Sequence, residues 1–219
     1  MYRVTSRNEP DDDGALKGSN KCPFGPDYQN YWNILSPRDK TYEMDIEGLY
    51  SMTVEPLAAA IADRIVGDKI LDAFCGIGGN AIAFALAGKD VISFDLNLPR
   101  LEMAKRNAEK MGVSHMITFH HGDILEHIEK VTADAIFLDP PWGGPEYTNK
   151  VLFPLDGFTP SGRVLLESAM PRFQCVSFKL PDNFDFSELN TFGNFTIHED
   201  RLDGRLLHYT AQNFTTTVL

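Results

Sequence analysis

The sequence predicts an α/β fold, with a mostly parallel seven-stranded sheet, a C-terminal antiparallel hairpin and helices on both faces. Two observations carry this prediction. Short apolar runs alternate with helix-type segments between residues 57 and 139, which indicates right-handed βαβ units and therefore a parallel sheet. Near the C-terminus, Asp203-Gly204 separates two strand-like segments, and an Asp-Gly pair in that position favours a hairpin.

The individual elements follow from the spacing of apolar residues. Leu57, Ile61 and Ile65 recur at helical spacing and predict a helix over residues 57–66. Similar patterns predict helices at residues 80–87, 99–111 and 124–130. Short apolar runs predict strands at residues 69–74, 90–95, 116–120, 133–139, 162–167, 195–201 and 206–211.

The chain is long enough for one domain with a sizeable core. Its 219 residues fall below the length of about 250–300 at which single cores stop growing. Residues 1–30 are rich in Asp, Gly, Asn and Pro, so we expect a disordered or loosely ordered tail there. The folded domain is expected to span residues 31–219, with residues 31–66 as an N-terminal cover segment.

Composition excludes several classes of protein. The apolar fraction of 43% and the mean hydropathy of -0.22 accompany no apolar run long enough to span a membrane. The N-terminus lacks the apolar core of a secretory signal, so we expect an intracellular protein. The three cysteines are widely spaced, and His120-His121 has no partners at metal-ligand spacing, so we predict no metal site. A net charge of -11 argues against a broad grip on a nucleic-acid backbone.

A Gly-rich loop, Asp72-Ala73-Phe74-Cys75-Gly76-Ile77-Gly78-Gly79-Asn80, follows the first predicted strand. It does not complete the GxGxxG dinucleotide fingerprint because Ala81 holds the last position. An acidic residue that opens such a loop suits S-adenosylmethionine, whose ammonium group requires a carboxylate, and Asp72 is the candidate. Ala73, Gly76 and Asn80 complete this part of the predicted cofactor site.

Carboxylates also follow the next two predicted strands. Asp95, with Leu96, ends the second strand, where a carboxylate can bind both ribose hydroxyls. Asp123, with Ile124, follows the third strand, where it can accept from the adenine amine. Each of these aspartates alone could be an ordinary cap or turn residue. Their recurrence at successive strand ends predicts a methyltransferase that uses S-adenosylmethionine.

The fourth predicted strand runs into Asp139-Pro140-Pro141-Trp142. A planar exocyclic amine needs acceptors for its N–H groups and a surface that holds its ring flat. Asp139 and the Pro140 carbonyl can accept, and Trp142 can stack on the ring. We therefore predict Asp139, Pro140 and Trp142 as the catalytic group that receives the methyl acceptor.

These motifs together resemble the trimethylguanosine synthase family. The resemblance rests on DAFCGxGGN from Asp72, the strand-end Asp95, Gly122-Asp123, and the extended PPWGGPxY from Pro140. It implies a Rossmann-like class I S-adenosylmethionine methyltransferase that methylates the exocyclic N2 amine of the 7-methylguanosine cap of RNA. It also implies that Trp142 stacks on the cationic 7-methylguanine, an arrangement stabilised by about 0.5–2 kcal/mol.

The resemblance implies further site residues. Thr53 matches a position beside the cofactor. The implied substrate-binding residues are Ser51, Asn107, Trp142, Tyr147 and Arg172. Among these, Arg172 and Tyr147 match contacts to the cap phosphates.

Two positions depart from the family pattern. The family usually has Ser where this chain has Asp139, which leaves open whether one or two methyl groups are added. The family often has Lys where this chain has Asn30, which removes a cation expected near the cap phosphates.

Two other functions remain open from the sequence. One is an amino-methyltransferase of adenine or guanine within rRNA, tRNA or other RNA or DNA, and the other is a non-catalytic cap-binding module. The expected partner is 7-methylguanosine-capped RNA, and we expect protein adaptors to contribute to RNA selection. We further expect a monomer, located in the nucleus with the cytoplasm as the alternative.

Overall fold

The computed structural model describes residues 21–144, 147–148 and 151–214. Its strands are β1 Lys69–Asp72, β2 Asp90–Asp95, β3 Ile117–His121, β4 Ala135–Leu138, β5 Cys175–Leu180, β6 Thr196–Leu202 and β7 Arg205–Phe214. They form one 7-stranded sheet in the order β3-β2-β1-β4-β5-β7-β6. The strands β1 to β5 are parallel, whereas β7 is antiparallel to β5 and β6. The predicted fold class, including the C-terminal hairpin, is confirmed.

Helices cover both faces of this sheet. They are α1 Gln29–Ile34, α2 Ile46–Ser51, α3 Glu55–Arg64, α4 Gly79–Leu86, α5 Leu98–Lys110, α6 Ile124–His127 and α7 Gly162–Ala169. Successive strand residues point to opposite faces, so Ile70 belongs to one core cluster and Leu71 to the other. The first cluster includes apolar residues of α3, α4 and α5, and the second includes those of α6 and α7. Within the described residues, no helix combines the length and apolar character needed to cross a membrane.

The prediction of a strand at residues 162–167 is wrong, because this segment is the start of α7. The Ser161 side chain accepts from the Arg163 N–H and caps the helix, while Leu165, Leu166 and Ala169 are buried. A short apolar run fits a buried strand or a buried helix face equally well, and periodicity cannot separate them. The fifth strand is instead Cys175–Leu180, which the sequence reading missed.

The structure describes the chain from residue 21, ahead of the N-terminal cover. Residues 1–20 of the predicted tail lie outside the described residues. Within residues 21–30, Cys22 is buried and Pro26–Tyr28 forms a 3₁₀ turn that leads into α1. The cover is fixed to the sheet domain by ion pairs, including the one from Arg100 to Asp45 at 2.9 Å.

Candidate active site

Four aspartates stand at neighbouring strand ends along one edge of the sheet. Asp72 ends β1 and Asp95 ends β2, while Asp139 directly follows β4. Asp123 follows β3 and caps α6. Because parallel strands have their carboxyl ends at the same edge, the order β3-β2-β1-β4 aligns all four carboxyl groups there. Open α/β sheets bind ligands at this edge.

Asp72 is fully buried at the centre of this row, with a relative exposure of 0%. Its Oδ1 accepts from the Phe74 N–H at 3.4 Å, while its Oδ2 has no hydrogen-bond partner among the described residues. Burial, followed by the charge of Asp139, raises the pKa of Asp72 to about 8. A cation placed against Oδ2 would stabilise the carboxylate and satisfy the unpaired oxygen.

Asp95 holds the Gly-rich loop in place. Its Oδ2 accepts from the Gly76 N–H at 2.6 Å, and its Oδ1 accepts from the Asn97 N–H at 2.7 Å. Burial raises the pKa of Asp95, and these two N–H groups oppose that effect. The adjacent Leu96 side chain is 64% exposed. A carboxylate beside an uncovered apolar side chain suits a sugar joined to a flat ring.

Three further predicted cofactor residues lie near the strand ends, and they differ in which atoms a ligand could reach. They are Asp123, Ile124 and Ala73. Asp123 Oδ1 accepts from the Leu125 N–H at 2.9 Å, which fixes the carboxylate at the start of α6. The side chains of Ile124 and Ala73 are each 2% exposed and pack in the core. Ligand contacts from these two residues are therefore limited to backbone atoms.

Asn80 and Thr53 join the Gly-rich loop to the N-terminal cover. Asn80 Nδ2 donates to Thr53 Oγ1 at 3.1 Å, and both residues are buried. Asn80 Oδ1 is buried and has no partner among the described residues. This oxygen, like Asp72 Oδ2, requires a donor.

The unpaired atoms of this site fit S-adenosylmethionine. Asp72 Oδ2 and Asn80 Oδ1 are both acceptors, so they require N–H or O–H groups such as those of an ammonium. A pyrophosphate offers acceptors and would meet the carboxylates of Asp72 and Asp95. These unpaired acceptors therefore favour a cationic ligand over a dinucleotide.

Asp139 is paired with a lysine that the sequence reading did not single out. Lys179 Nζ donates to Asp139 Oδ2 at 2.8 Å and to the carbonyl of Ser51 at 3.1 Å. The Lys179 and Asp139 side chains are only 5% and 15% exposed. Ser51 itself is exposed at the end of α2. A lysine within the otherwise uncharged run Cys175–Leu180 was the available signal, but no strand was predicted there.

Trp142 and Tyr147 form the aromatic part of the site. Their ring centroids are 5.1 Å apart with an interplanar angle of 87°. Trp142 follows the two prolines and is partly buried, and Pro140 is buried. Lys179 Nζ lies 5.3 Å from the centroid of the Trp142 ring. The structure thus brings Asp139, Pro140, Trp142, Tyr147 and Ser51 to one side of the site.

The expected contact of Asn107 with the guanine is contradicted by its surroundings. Its Nδ2 donates to the carbonyls of Glu43 and Ile77, at 3.0 and 2.9 Å. Its Oδ1 accepts from the Glu43 N–H at 2.7 Å, and the residue is 1% exposed. Asn107 therefore ties the cover segment to the Gly-rich loop instead of binding a base.

Replacing Asn107 with alanine is expected to destabilise the protein by about 2–4 kcal/mol, because it leaves three backbone groups unpaired. Urea unfolding would measure this loss. Asn33→Ala is the matched control, since Asn33 is exposed and bonds Gln29 on the surface of α1. Equal stability of the two variants would contradict the structural role of Asn107.

Arg172 is not part of the site, which corrects the prediction that it binds cap phosphate. It lies between α7 and the amino end of β5, whereas the site occupies the carboxyl ends of the strands. Its guanidinium donates to the Ser168 carbonyl and to Glu129, both at 2.7 Å. The Pro-Arg pair in the sequence does not show whether Arg172 lies at the amino end or at the carboxyl end of a strand.

Comparison with known proteins decides the family. Residues 67–217 match the family model described as RNA cap guanine-N2 methyltransferase. The chain belongs to this family. It is 34% identical over 207 residues to trimethylguanosine synthase of Schizosaccharomyces pombe, covering 87% of this chain and 86% of that protein. It is 31% identical over 153 residues to trimethylguanosine synthase of Saccharomyces cerevisiae, covering 64% of this chain and 49% of that protein.

The solved structures support the fold of this cap guanine-N2 methyltransferase. The crystal structure of precorrin-6y C5,15-methyltransferase from Geobacter metallireducens GS-15 superposes with a TM-score of 0.57 at 11% identity. The superposition covers 83% of this chain and 99% of that one. The protein is therefore a class I methyltransferase in fold, and S-adenosylmethionine is the methyl donor of its family.

Proposed function

We propose that this protein methylates the exocyclic N2 amine of the 7-methylguanosine cap of RNA, with Asp139, Pro140 and Trp142 as the residues that receive the base. The observation that carries the proposal is the position of Asp139 beside Asp72. The strands β1 and β4 are neighbours, and the Asp139 charge raises the pKa of Asp72. The methyl-acceptor residues thus adjoin the residues that fit the methyl donor.

Each carboxylate has a separate task in this proposal. Asp72 binds the ammonium group of S-adenosylmethionine, Asp95 binds the ribose hydroxyls, and Asp123 accepts from the adenine amine. When bound, this cofactor supplies an electrophilic methyl group on a sulfonium. The protein contributes mainly by orientation, which is worth up to about 7–11 kcal/mol in well-aligned reactions.

Asp139 and Trp142 hold the target base. The Asp139 carboxylate accepts an N–H of the guanine amine, and the Pro140 carbonyl is a second acceptor. Trp142 stacks on the ring, and the positive charge of 7-methylguanine strengthens this contact. The ion pair between Asp139 and Lys179 carries no net charge, so it does not repel a cationic base.

Tyr147 and Arg205 are proposed to face the cap phosphates in place of Arg172. Arg205 is exposed at the start of β7, and its charge lowers the pKa of Tyr147, which burial raises. A guanidinium and a phenol together suit phosphate oxygens.

One assay tests the proposed function. The protein is incubated with labelled S-adenosylmethionine and, separately, 7-methylguanosine cap dinucleotide, unmethylated cap dinucleotide, or an internal RNA fragment. We expect transfer only to the 7-methylated cap, and product masses give the number of methyl groups added. Transfer to internal adenine or guanine alone would support an amino-methyltransferase of internal bases. Absence of transfer with retained cap binding would support a non-catalytic module.

The remaining expectations concern partners and location. We propose that RNA selection beyond the cap depends on protein adaptors, since the net charge of -11 disfavours extended backbone contacts. We also propose a monomer that acts in the nucleus. The trimethylguanosine synthases of two yeasts support a role in RNA processing.

A further inference from the structure

Lys179 is a buried cation at the methyl-acceptor site. It lies on β5 between Phe178 and Leu180, both of which are 0% exposed, and it is itself 4% exposed. Its ammonium group reaches the site side of the sheet, where it donates to Asp139 Oδ2 and to the Ser51 carbonyl. Lysine is almost never buried in proteins unless its charge is paired.

The pairing of Lys179 with Asp139 has no evident benefit for stability. Burying two charges costs several kcal/mol per ion, and an apolar pair of similar size is often as stable or more stable. An ion pair kept in such a position indicates a role in function or specificity. Asp139 opens the Pro-Pro-Trp segment, and Lys179 Nζ lies 5.3 Å from the Trp142 ring, so the pair contacts the proposed base-binding residues.

The geometry leaves part of Asp139 available to a substrate. Lys179 occupies one side of Oδ2, and a carboxylate offers about four lone-pair positions over its two oxygens. The bonds from Lys179 to Asp139 and to the Ser51 carbonyl fix the direction in which Asp139 points. A protonated lysine has no lone pair, so Lys179 itself cannot accept the amine hydrogen.

Other charged groups face this pair from neighbouring elements. Asp72 on β1 is negative when ionised and lies next to Asp139. On β7, His208 is influenced by the charges of both Lys179 and Asp139, and burial lowers the pKa of His208. On β6, Asp200 lies 3.0 Å from His208 Nδ1 and is also paired with Arg64 of α3. Among these charged residues, Lys179 is the cation that bonds directly to Asp139.

We propose that Lys179 is a positioning residue for methyl transfer, because its buried ammonium group holds the Asp139 carboxylate aimed at the N–H groups of the target amine. This inference rests on the proposed function, since it takes the target to be the guanine amine. Asp139 acts as a hydrogen-bond acceptor that orients the amine lone pair. Without Lys179, the Asp139 carboxylate would lose a charge-assisted hydrogen bond and, with it, its fixed orientation.

The test compares four variants of the full chain: Lys179→Met, Lys179→Arg, Asp139→Asn and the double variant Lys179→Met/Asp139→Asn. Methyl transfer to the 7-methylguanosine cap dinucleotide is followed for each variant. We expect Lys179→Met to lower kcat by about tenfold or more, which corresponds to about 1.4 kcal/mol. Lys179→Arg should restore most of the activity, because it keeps a cation that can bond a carboxylate.

The double variant separates positioning from general damage. If Lys179 acts through Asp139, the double variant should be no slower than Asp139→Asn. Calorimetric titration with S-adenosylmethionine should show unchanged affinity in Lys179→Met. An unchanged kcat in Lys179→Met, or effects of the two single changes that multiply in the double variant, would overturn the proposal.

Two precautions keep this result interpretable. If Lys179→Met does not fold, circular dichroism will show it, and Asp139→Asn then decides the question. In that case an unchanged kcat and KM for Asp139→Asn would overturn the proposal. Failure of the proposed function is distinct, because it appears as wild-type transfer to another base, and the same variants are then compared on that amine.

Discussion

Asp72→Asn is expected to weaken S-adenosylmethionine binding by about 30-fold to several thousand-fold, or about 2–5 kcal/mol. The unpaired Oδ2 of Asp72 is fully buried. In the proposed function, this carboxylate balances the charge of the ammonium group of the cofactor. An asparagine keeps the shape but loses the charge. Calorimetric titration of both proteins with the cofactor measures the difference.

The pH dependence of binding provides a second readout for Asp72. Its pKa is raised to about 8, so the carboxyl group is protonated in the free protein at lower pH. Binding a cation requires the carboxylate, so affinity should fall as the pH drops below about 8, and binding should release a proton. Asp72→Asn should abolish this proton release.

The stability of the free protein should depend on pH in the opposite direction to cofactor affinity: it should fall as the pH rises. A carboxyl group whose folded pKa is raised contributes stability at low pH, and that contribution is lost as the pH rises through about 8. Above that pH, Asp72→Asn should be at least as stable as the wild type, which separates lost binding from lost folding. Asp90→Asn is the control, because Asp90 is exposed at the start of β2 and should leave affinity unchanged. Wild-type affinity in Asp72→Asn would contradict the assignment.

Trp142→Ala is expected to raise KM for the 7-methylated cap by about 10-fold to about 5000-fold, since one base stacked on an aromatic ring is worth about 1–3 kcal/mol and its charge adds about 0.5–2 kcal/mol. Affinity for S-adenosylmethionine should be retained, because the predicted cofactor residues lie at or after the ends of β1, β2 and β3 and in the cover. Steady-state kinetics on methylated and unmethylated cap dinucleotides measures the effect. The preference for the methylated cap should shrink together with the affinity.

Trp142→Phe is the matched variant for this prediction. It keeps an aromatic face and the packing against Tyr147, and the indole Nε1–H that it removes is buried without a partner among the described residues. We expect intermediate KM and near wild-type stability. If Trp142→Ala bound both caps as the wild type does, the base would have to lie elsewhere in the site.

Much of this site could be predicted from the sequence because its carboxylates follow strands. Asp72, Asp95 and Asp139 each come at the end of an apolar run, and parallel strands necessarily bring those ends to one edge. Local order along the chain is enough to place such residues together. The hairpin was equally accessible, because Asp203-Gly204 fixes the turn within four residues.

The failures involve information that local sequence does not contain. The run at Gly162–Ala169 has the composition of a buried strand, and only its burial on one helical face makes it α7. Because a strand was predicted at residues 162–167, β5 was not predicted, and Lys179 on β5 was not recognised as a site residue. Without β5, the sequence could not show that Arg172 precedes this strand and lies at the edge of the sheet opposite the site.

The sequence by itself determined the fold class, the cofactor edge and the Asp139-Pro140-Pro141-Trp142 segment, since these depend on contiguous patterns and on the geometry of parallel strands. Only the tertiary structure decided that Asn107 bonds backbone and that Lys179 bonds Asp139. These contacts join residues 64 and 40 positions apart in the chain. A polar side chain has the same identity whether it binds a ligand or the protein, and its role is fixed by the partner that folding places within hydrogen-bonding distance.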